Sequence, residues 1–161
     1  MPDGAPRAGL QPVRPAAARP LETVLAFDYG LRRTGVAVGQ RLLGSARPLT
    51  TIDALGDARF GPIEKLVHEW QPQALVVGVP RHPDGAPHEN TLRAQRFGRQ
   101  LHGRFGLPVH EVDERYSTVE VLSQAREKPR GGRAAPDADA AAAALLLEQF
   151  FHELALKETS S

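Results

Sequence analysis

Apolar residues along the chain gather into short runs separated by polar, turn-forming segments. Val24-Leu25-Ala26-Phe27 leads into Asp28-Tyr29-Gly30, and Thr34-Gly35-Val36-Ala37-Val38-Gly39 follows almost at once. Runs this short, bounded by turn signals, read as buried strands. Strands are therefore expected at about 23–28, 34–40 and 44–50, linked at Gly30 and near Leu42-Leu43-Gly44. Links that short require antiparallel neighbours. The period then changes. Ile63, Leu66, Val67 and Trp70 recur at helical spacing, which predicts a helix over about 58–70 that Gln71-Pro72 ends. Ala74-Leu75-Val76-Val77-Gly78-Val79 is a fourth buried strand that stops at Pro80. Turn residues fill Arg81 to Pro87, a polar, Arg-rich helix is expected at about 89–104, and a fifth strand runs from Pro108 to Val112. A helix starts near Ser117 or Thr118, and a last one covers about 138–156. Helical crossovers before the fourth and fifth strands imply parallel pairing. The fold class is α/β: a mixed five-stranded sheet with helices on its faces.

Composition divides the chain. Residues 1–21 hold Pro2, Pro6, Pro12, Pro15 and Pro20 with Arg7, Arg14 and Arg19, and little that could form a core. They read as a disordered Pro/Ala/Arg-rich tail without the apolar centre of a secretory signal. Residues 22–156 form one domain, and 157–161 read as a frayed end. The absence of cysteine excludes disulfides, thiolate catalysis and Cys-based zinc sites. No apolar run approaches the ~18 residues of a membrane span, so a cytoplasmic protein without a membrane partner is expected. Net charge is only +1, yet the basic residues are mostly arginine, with Lys65, Lys128 and Lys157 as the lysines. Arginine binds phosphate in a bidentate fashion, which suits nucleic acid. A GC-rich genome would give the same bias.

Three acids occupy unusual places. Asp28 emerges at the tip of an apolar strand, and a half-buried carboxylate needs a partner. Glu114, beside Asp113, ends another apolar strand, and Ser117 or Thr118 can cap the helix beyond it. Asp139 opens the Ala-rich last helix. Its ordinary role would be a cap, but Asp137 can cap instead. Asp139 then shares a face with Ala143, Leu146 and Phe150, and so points toward the sheet. A metal ion is the natural partner for three such acids.

These segments together resemble the YqgF or RuvX family. The resemblance runs from about residue 22 to 152. Its carriers are Leu25-Ala26-Phe27-Asp28-Tyr29-Gly30, Gly35-Val36-Ala37-Val38-Gly39-Gln40, Ala46-Arg47-Pro48-Leu49, Val76-Val77-Gly78-Val79-Pro80 with Asp84-Gly85, Asp113-Glu114-Arg115-Tyr116-Ser117-Thr118, and Asp139 to Ala143 with Leu145-Leu146-Leu147-Glu148. Each piece is weak alone, and their order and spacing make the match specific. It implies an RNase H-like sheet of order 3-2-1-4-5, a cytoplasmic protein and a nuclease that matures the 5′ end of 16S rRNA. Carried over, the catalytic and metal-binding acids are Asp28, Glu114 and Asp139. Related RuvC-type resolvases place an acid at the end of the fourth strand. Here that strand ends Gly78-Val79-Pro80, so Glu114, with Asp113 in reserve, must supply it.

Phosphodiester hydrolysis needs an activated water and a stabilised leaving oxygen, and two Mg²⁺ or Mn²⁺ ions held by carboxylates supply both. His82, His88 and His110 are candidate proton shuttles or plain surface residues. Arg32, Arg33 and Arg115 adjoin the acids, and Arg126, Lys128, Arg130 and Arg133 lie in a Gly/Pro-rich segment before the last helix. All are candidate RNA contacts or solvated charges, as are Ser117 and Thr118. The expected partners are pre-16S rRNA, alone or on the ribosome, and structured DNA, with the chain a monomer or weak dimer. Three other readings stand beside this one: a Holliday-junction-type DNA nuclease, a non-catalytic RNA- or ribosome-binding protein, and an actin-like ATPase. Asp28-Tyr29-Gly30 resembles the phosphate loop of the last, but such proteins need two domains of this kind.

Overall fold

The computed structural model describes residues 23–80, 89–114 and 138–160. Five strands form one sheet: β1 (Thr23–Asp28), β2 (Arg33–Gln40), β3 (Ser45–Asp53), β4 (Ala74–Val79) and β5 (Val109–Asp113). Their order is β3-β2-β1-β4-β5. The three strands joined by tight links pair antiparallel, while β4 runs parallel to both β1 and β5. The pairing senses are those that the link lengths imply, and the order is the one that the family resemblance implies.

Among the described residues three helices cover the sheet: α1 (Phe60–Trp70), α2 (Glu89–Phe105) and α3 (Ala138–Ser160). Strand alternation decides which residues meet which helix. Val24, Ala26, Ala74, Val76 and Val112 pack under α3 with Ala142, Leu146, Leu147, Phe150 and Phe151. Leu25, Phe27, Val36, Leu75, Val77 and Val79 face the other way, against Phe60, Ile63, Ala94, Phe97 and Leu101 of α1 and α2. Each large side chain fully buried in these layers contributes roughly 1.5–3 kcal/mol. The alanines of α3 let it lie close: Ala140, Ala142, Ala143 and Ala144 are all buried. No helix among the described residues is long and apolar enough to cross a membrane.

Local differences from the sequence reading have physical causes. β3 continues to Asp53, past the expected end at residue 50. Its register shifts opposite Val36 and Ala37, so a bulge absorbs the Pro48 region, and Thr50-Thr51-Ile52 resume the ladder. The first helix begins as a 3₁₀ turn, Gly56–Arg59. Gln71 takes a left-handed conformation, φ 48°, and its N–H caps Val67 O, which stops α1 before Pro72. α3 runs to Ser160, a turn beyond its expected end. The tail 1–21 and the helix expected near Ser117 lie outside the described residues.

Candidate active site

Asp28 closes β1 on the face that α3 covers. Its cross-strand partner on β2 is Gly35. On the other side Phe27 pairs with Val77, which brings Gly78 of β4 alongside Asp28. The carboxylate is thus flanked by a glycine on each neighbouring strand. Both glycines leave room that something else fills. A β-carbon on Gly35 would lie 1.9 Å from Asp139 O and 2.8 Å from Ala140 N, so the first turn of α3 rests its backbone directly on β2. A β-carbon on Gly78 would lie 2.5 Å from Leu146 Cδ1 and 3.3 Å from Glu114 Oε2. The Glu114 carboxylate therefore reaches back from the end of β5 over β4, beside Gly78.

Alternation also separates the two adjacent acids. Asp113 pairs with Val79, while Glu114, one residue on, takes the face of Gly78 and α3. Asp28, Glu114 and Asp139 are 5%, 8% and 7% exposed. The structure thus brings the three predicted acids to one sheet edge on one face. Arg33 Nε stands 3.1 Å from Asp139 Oδ2, so the first residue of β2 is an ion-pair partner of the site. Arg32 is exposed beside it. The donor set is all oxygen, which suits a hard divalent cation. Among the described residues no three acid or histidine side chains are already gathered into a ligand set, so a cation would have to draw these carboxylates together.

Arg59 is a participant that sequence reasoning missed. It is 2% exposed. Its Nε donates to Gly56 O at 2.9 Å, Nη1 to Gly30 O at 2.8 Å and to Thr34 Oγ1 at 2.9 Å, and Nη2 to Leu31 O at 2.9 Å. The guanidinium also lies 4.6 Å from the Tyr29 ring centroid. One buried cation thus pins the link that leaves Asp28 and delivers Arg33. A sequence signal existed: Arg59 continues the Ile63, Leu66 and Trp70 stripe toward the helix start, a basic residue on an apolar face. Replacing Arg59 by methionine is expected to cost about 2–4 kcal/mol, because three carbonyls and a hydroxyl lose their donor. Amide exchange should quicken at Leu31 to Thr34, and lysine should restore part of the loss. Unchanged denaturation and exchange would show that the link holds itself.

Other candidates lie elsewhere. His110 sits four residues before Glu114 on β5, roughly 13 Å along the strand, and stacks on Phe150 at 5.0 Å. Of its two readings, this exposed placement fits the surface residue. Burial, and then the charge of Lys157, lower its pKa below 6.5. The unfolded chain therefore binds this proton more readily. The residue is exposed, so solvent screens the effect, and His110 weakens the fold only slightly and only below about pH 6.5. His110→Gln is expected to flatten part of the acid-side loss in melting temperature between about pH 6.5 and 5, and an unchanged profile would remove His110 from the account. Arg115, Ser117, Thr118, Arg126, Lys128, Arg130 and Arg133, with His82, His88 and Asp137, lie outside the described residues.

Comparison with known proteins places this geometry. The RuvX family, described as Holliday junction resolvase, matches residues 22–153. A protein of Albidiferax ferrireducens named "Putative pre-16S rRNA nuclease" is 60% identical over 152 residues, covering 94% of this chain and 89% of its own. A Polaromonas protein of the same name is 60% identical over 134 residues, covering 83% and 91%. Among solved structures, Thermus thermophilus RuvC in complex with Holliday junction substrate superposes with a TM-score of 0.52 at 20% identity, covering 83% of this chain and 96% of that one. That likeness is one of fold.

Proposed function

The chain belongs to the RuvX family, and from that premise we propose that it is a divalent-metal-dependent endonuclease that processes the 5′ end of pre-16S rRNA in the cytoplasm. The observation that carries this reading is the flanking of Asp28 by Gly35 and Gly78, which lets Asp139 and Glu114 close on the same sheet edge. Three buried carboxylates on one edge serve hydrolysis better than they serve stability, because neighbouring like charges repel.

Asp28, at the end of a central strand, is the acid best placed to be shared, with Glu114 and Asp139 on either side. When bound there, Mg²⁺ or Mn²⁺ supplies an activated water and charge stabilisation for the leaving oxygen. The chain itself orients and neutralises. Arg59 holds the β1–β2 link rigid, and Arg33 balances the charge of Asp139. Arg32 is free to meet a phosphate of the scissile strand. The burial of the acids keeps bulk water from screening them.

The test is cleavage of a defined 16S precursor in Mg²⁺, in Mn²⁺ and in chelator, beside a four-way DNA junction. The precursor should be cut, and the chelator should abolish cutting. Preferential cutting of the junction would move the substrate class to structured DNA. RNA binding without cutting under any metal would favour a non-catalytic ribosome-binding role.

A further inference from the structure

α2 has no part in the site, yet it holds the densest positive charge among the described elements. It carries Arg93, Arg96, Arg99 and Arg104 against Glu89. α3, on the opposite face, carries Asp139, Glu148, Glu153 and Glu158 against Lys157. The whole chain is only +1, so these faces separate charge instead of merely displaying an abundance of it. Two of the four arginines are occupied. Arg93 lies 3.2 Å from both Glu89 Oε1 and Asn90 Oδ1. Arg104 stacks 4.0 Å from the Phe60 ring centroid and stands 3.9 Å from Asp57. Arg96 and Arg99 are exposed and have no acidic partner among the described residues. Three residues apart, they are neighbours on the helix surface.

Their position matters as much as their charge. The Thr91 hydroxyl donates to Pro80 O, which ties the first turn of α2 to the end of β4. That is the edge where Asp28 and Glu114 lie. At 1.5 Å per residue, Arg96 and Arg99 stand roughly 8 and 12 Å down the helix from Thr91. The acids lie on the face that α3 covers, so a nucleic-acid strand that leaves them and rounds the end of β4 would come alongside Arg96 and Arg99 on the other face. The acidic face of α3 would repel the same strand.

We propose that Arg96 and Arg99 form a phosphate-binding track for the RNA flank that leads away from the site, a role that rests on the RNA-nuclease reading above. The occupant is the sugar-phosphate backbone, because two exposed guanidinium groups without a shaped pocket select charge and not base identity. The test measures binding of the 16S precursor by fluorescence anisotropy from about 50 to 200 mM salt, in an Asp28→Asn background so that the RNA stays intact. Arg96→Gln with Arg99→Gln is compared with Arg41→Gln with Lys157→Gln, which removes equal charge at a distance. Arg41 pairs with Glu158 at the far end of the sheet. The α2 pair should lower the log–log salt slope by roughly 1.4–1.8 units, at 0.7–0.9 per lost contact, and the distant pair should leave it unchanged. An unchanged slope for the α2 pair, with the parent still binding RNA, would overturn the track alone. Equal losses in both pairs would overturn it too, by reducing the effect to bulk charge. A parent that binds no precursor RNA would overturn both the track and the RNA-nuclease reading beneath it.

Discussion

Asp28→Asn is expected to lower cleavage by at least about 10³-fold while leaving the protein folded. In the proposed site Asp28 would be a charged ligand of the bound cations, a role worth several kcal/mol to the transition state, and each ~1.4 kcal/mol is tenfold in rate. Asparagine keeps the shape of the side chain, and the pairing of Asp28 with Gly35 on β2 uses only the backbone. One negative charge leaves an edge that holds two other buried acids, so thermal stability should hold or rise. Glu114→Gln should fall nearly as far. Asp113→Asn should do less, because its strand position turns it away from Gly78 and α3. Wild-type cleavage by Asp28→Asn would misplace the site, and a larger loss from Asp113→Asn than from Glu114→Gln would reverse the choice within that pair.

Gly35→Ala is expected to damage fold and activity together. The added carbon would meet backbone, at 1.9 Å from Asp139 O and 2.2 Å from Asp139 C, and backbone cannot rotate away as a flexible side chain can. α3 must lift from β2 or the sheet must yield. We expect a loss of about 3 kcal/mol, which lowers the melting temperature by roughly 6–12 °C in a chain of this size. The helix that moves is the one that holds Asp139, so cleavage should fall even in the fraction that remains folded. Gly103→Ala is the control. Gly103 is exposed within α2, with nothing within 4 Å of an added β-carbon, and the change should stabilise by roughly 0.5–1 kcal/mol. A Gly35→Ala protein as stable and active as the parent would mean that α3 does not press on β2 in solution.

The contrast between these two glycines shows what a sequence conceals. Both read as small residues in regular elements. One borders open space and the other carries the closest approach in the site. The same holds for Gly78, which reads as a missing acid on β4 but accommodates Glu114. Arg59 reads as one more basic residue before a helix, yet it ties two carbonyls and a hydroxyl around the Asp28 link to its own turn at Gly56.

The sequence by itself determined the described strands and helices, the pairing sense of the strands, and the placing of three acids at the ends of apolar elements. Apolar period and turn residues are local properties, and the length of each link decides whether neighbouring strands run together or opposed. Asp28, Glu114 and Asp139 were legible because each ends or begins an apolar element, where a charge has no local reason to be. Only the tertiary structure decided the bulge at Leu49 opposite Val36 and Ala37, the grip of Arg59, the distance of His110 from the site and the two clearances beside Asp28. Those features depend on how closely surfaces far apart in the chain approach one another. Packing at a few ångströms between β2 and α3 is set by the whole core at once, and no local stretch of residues encodes it.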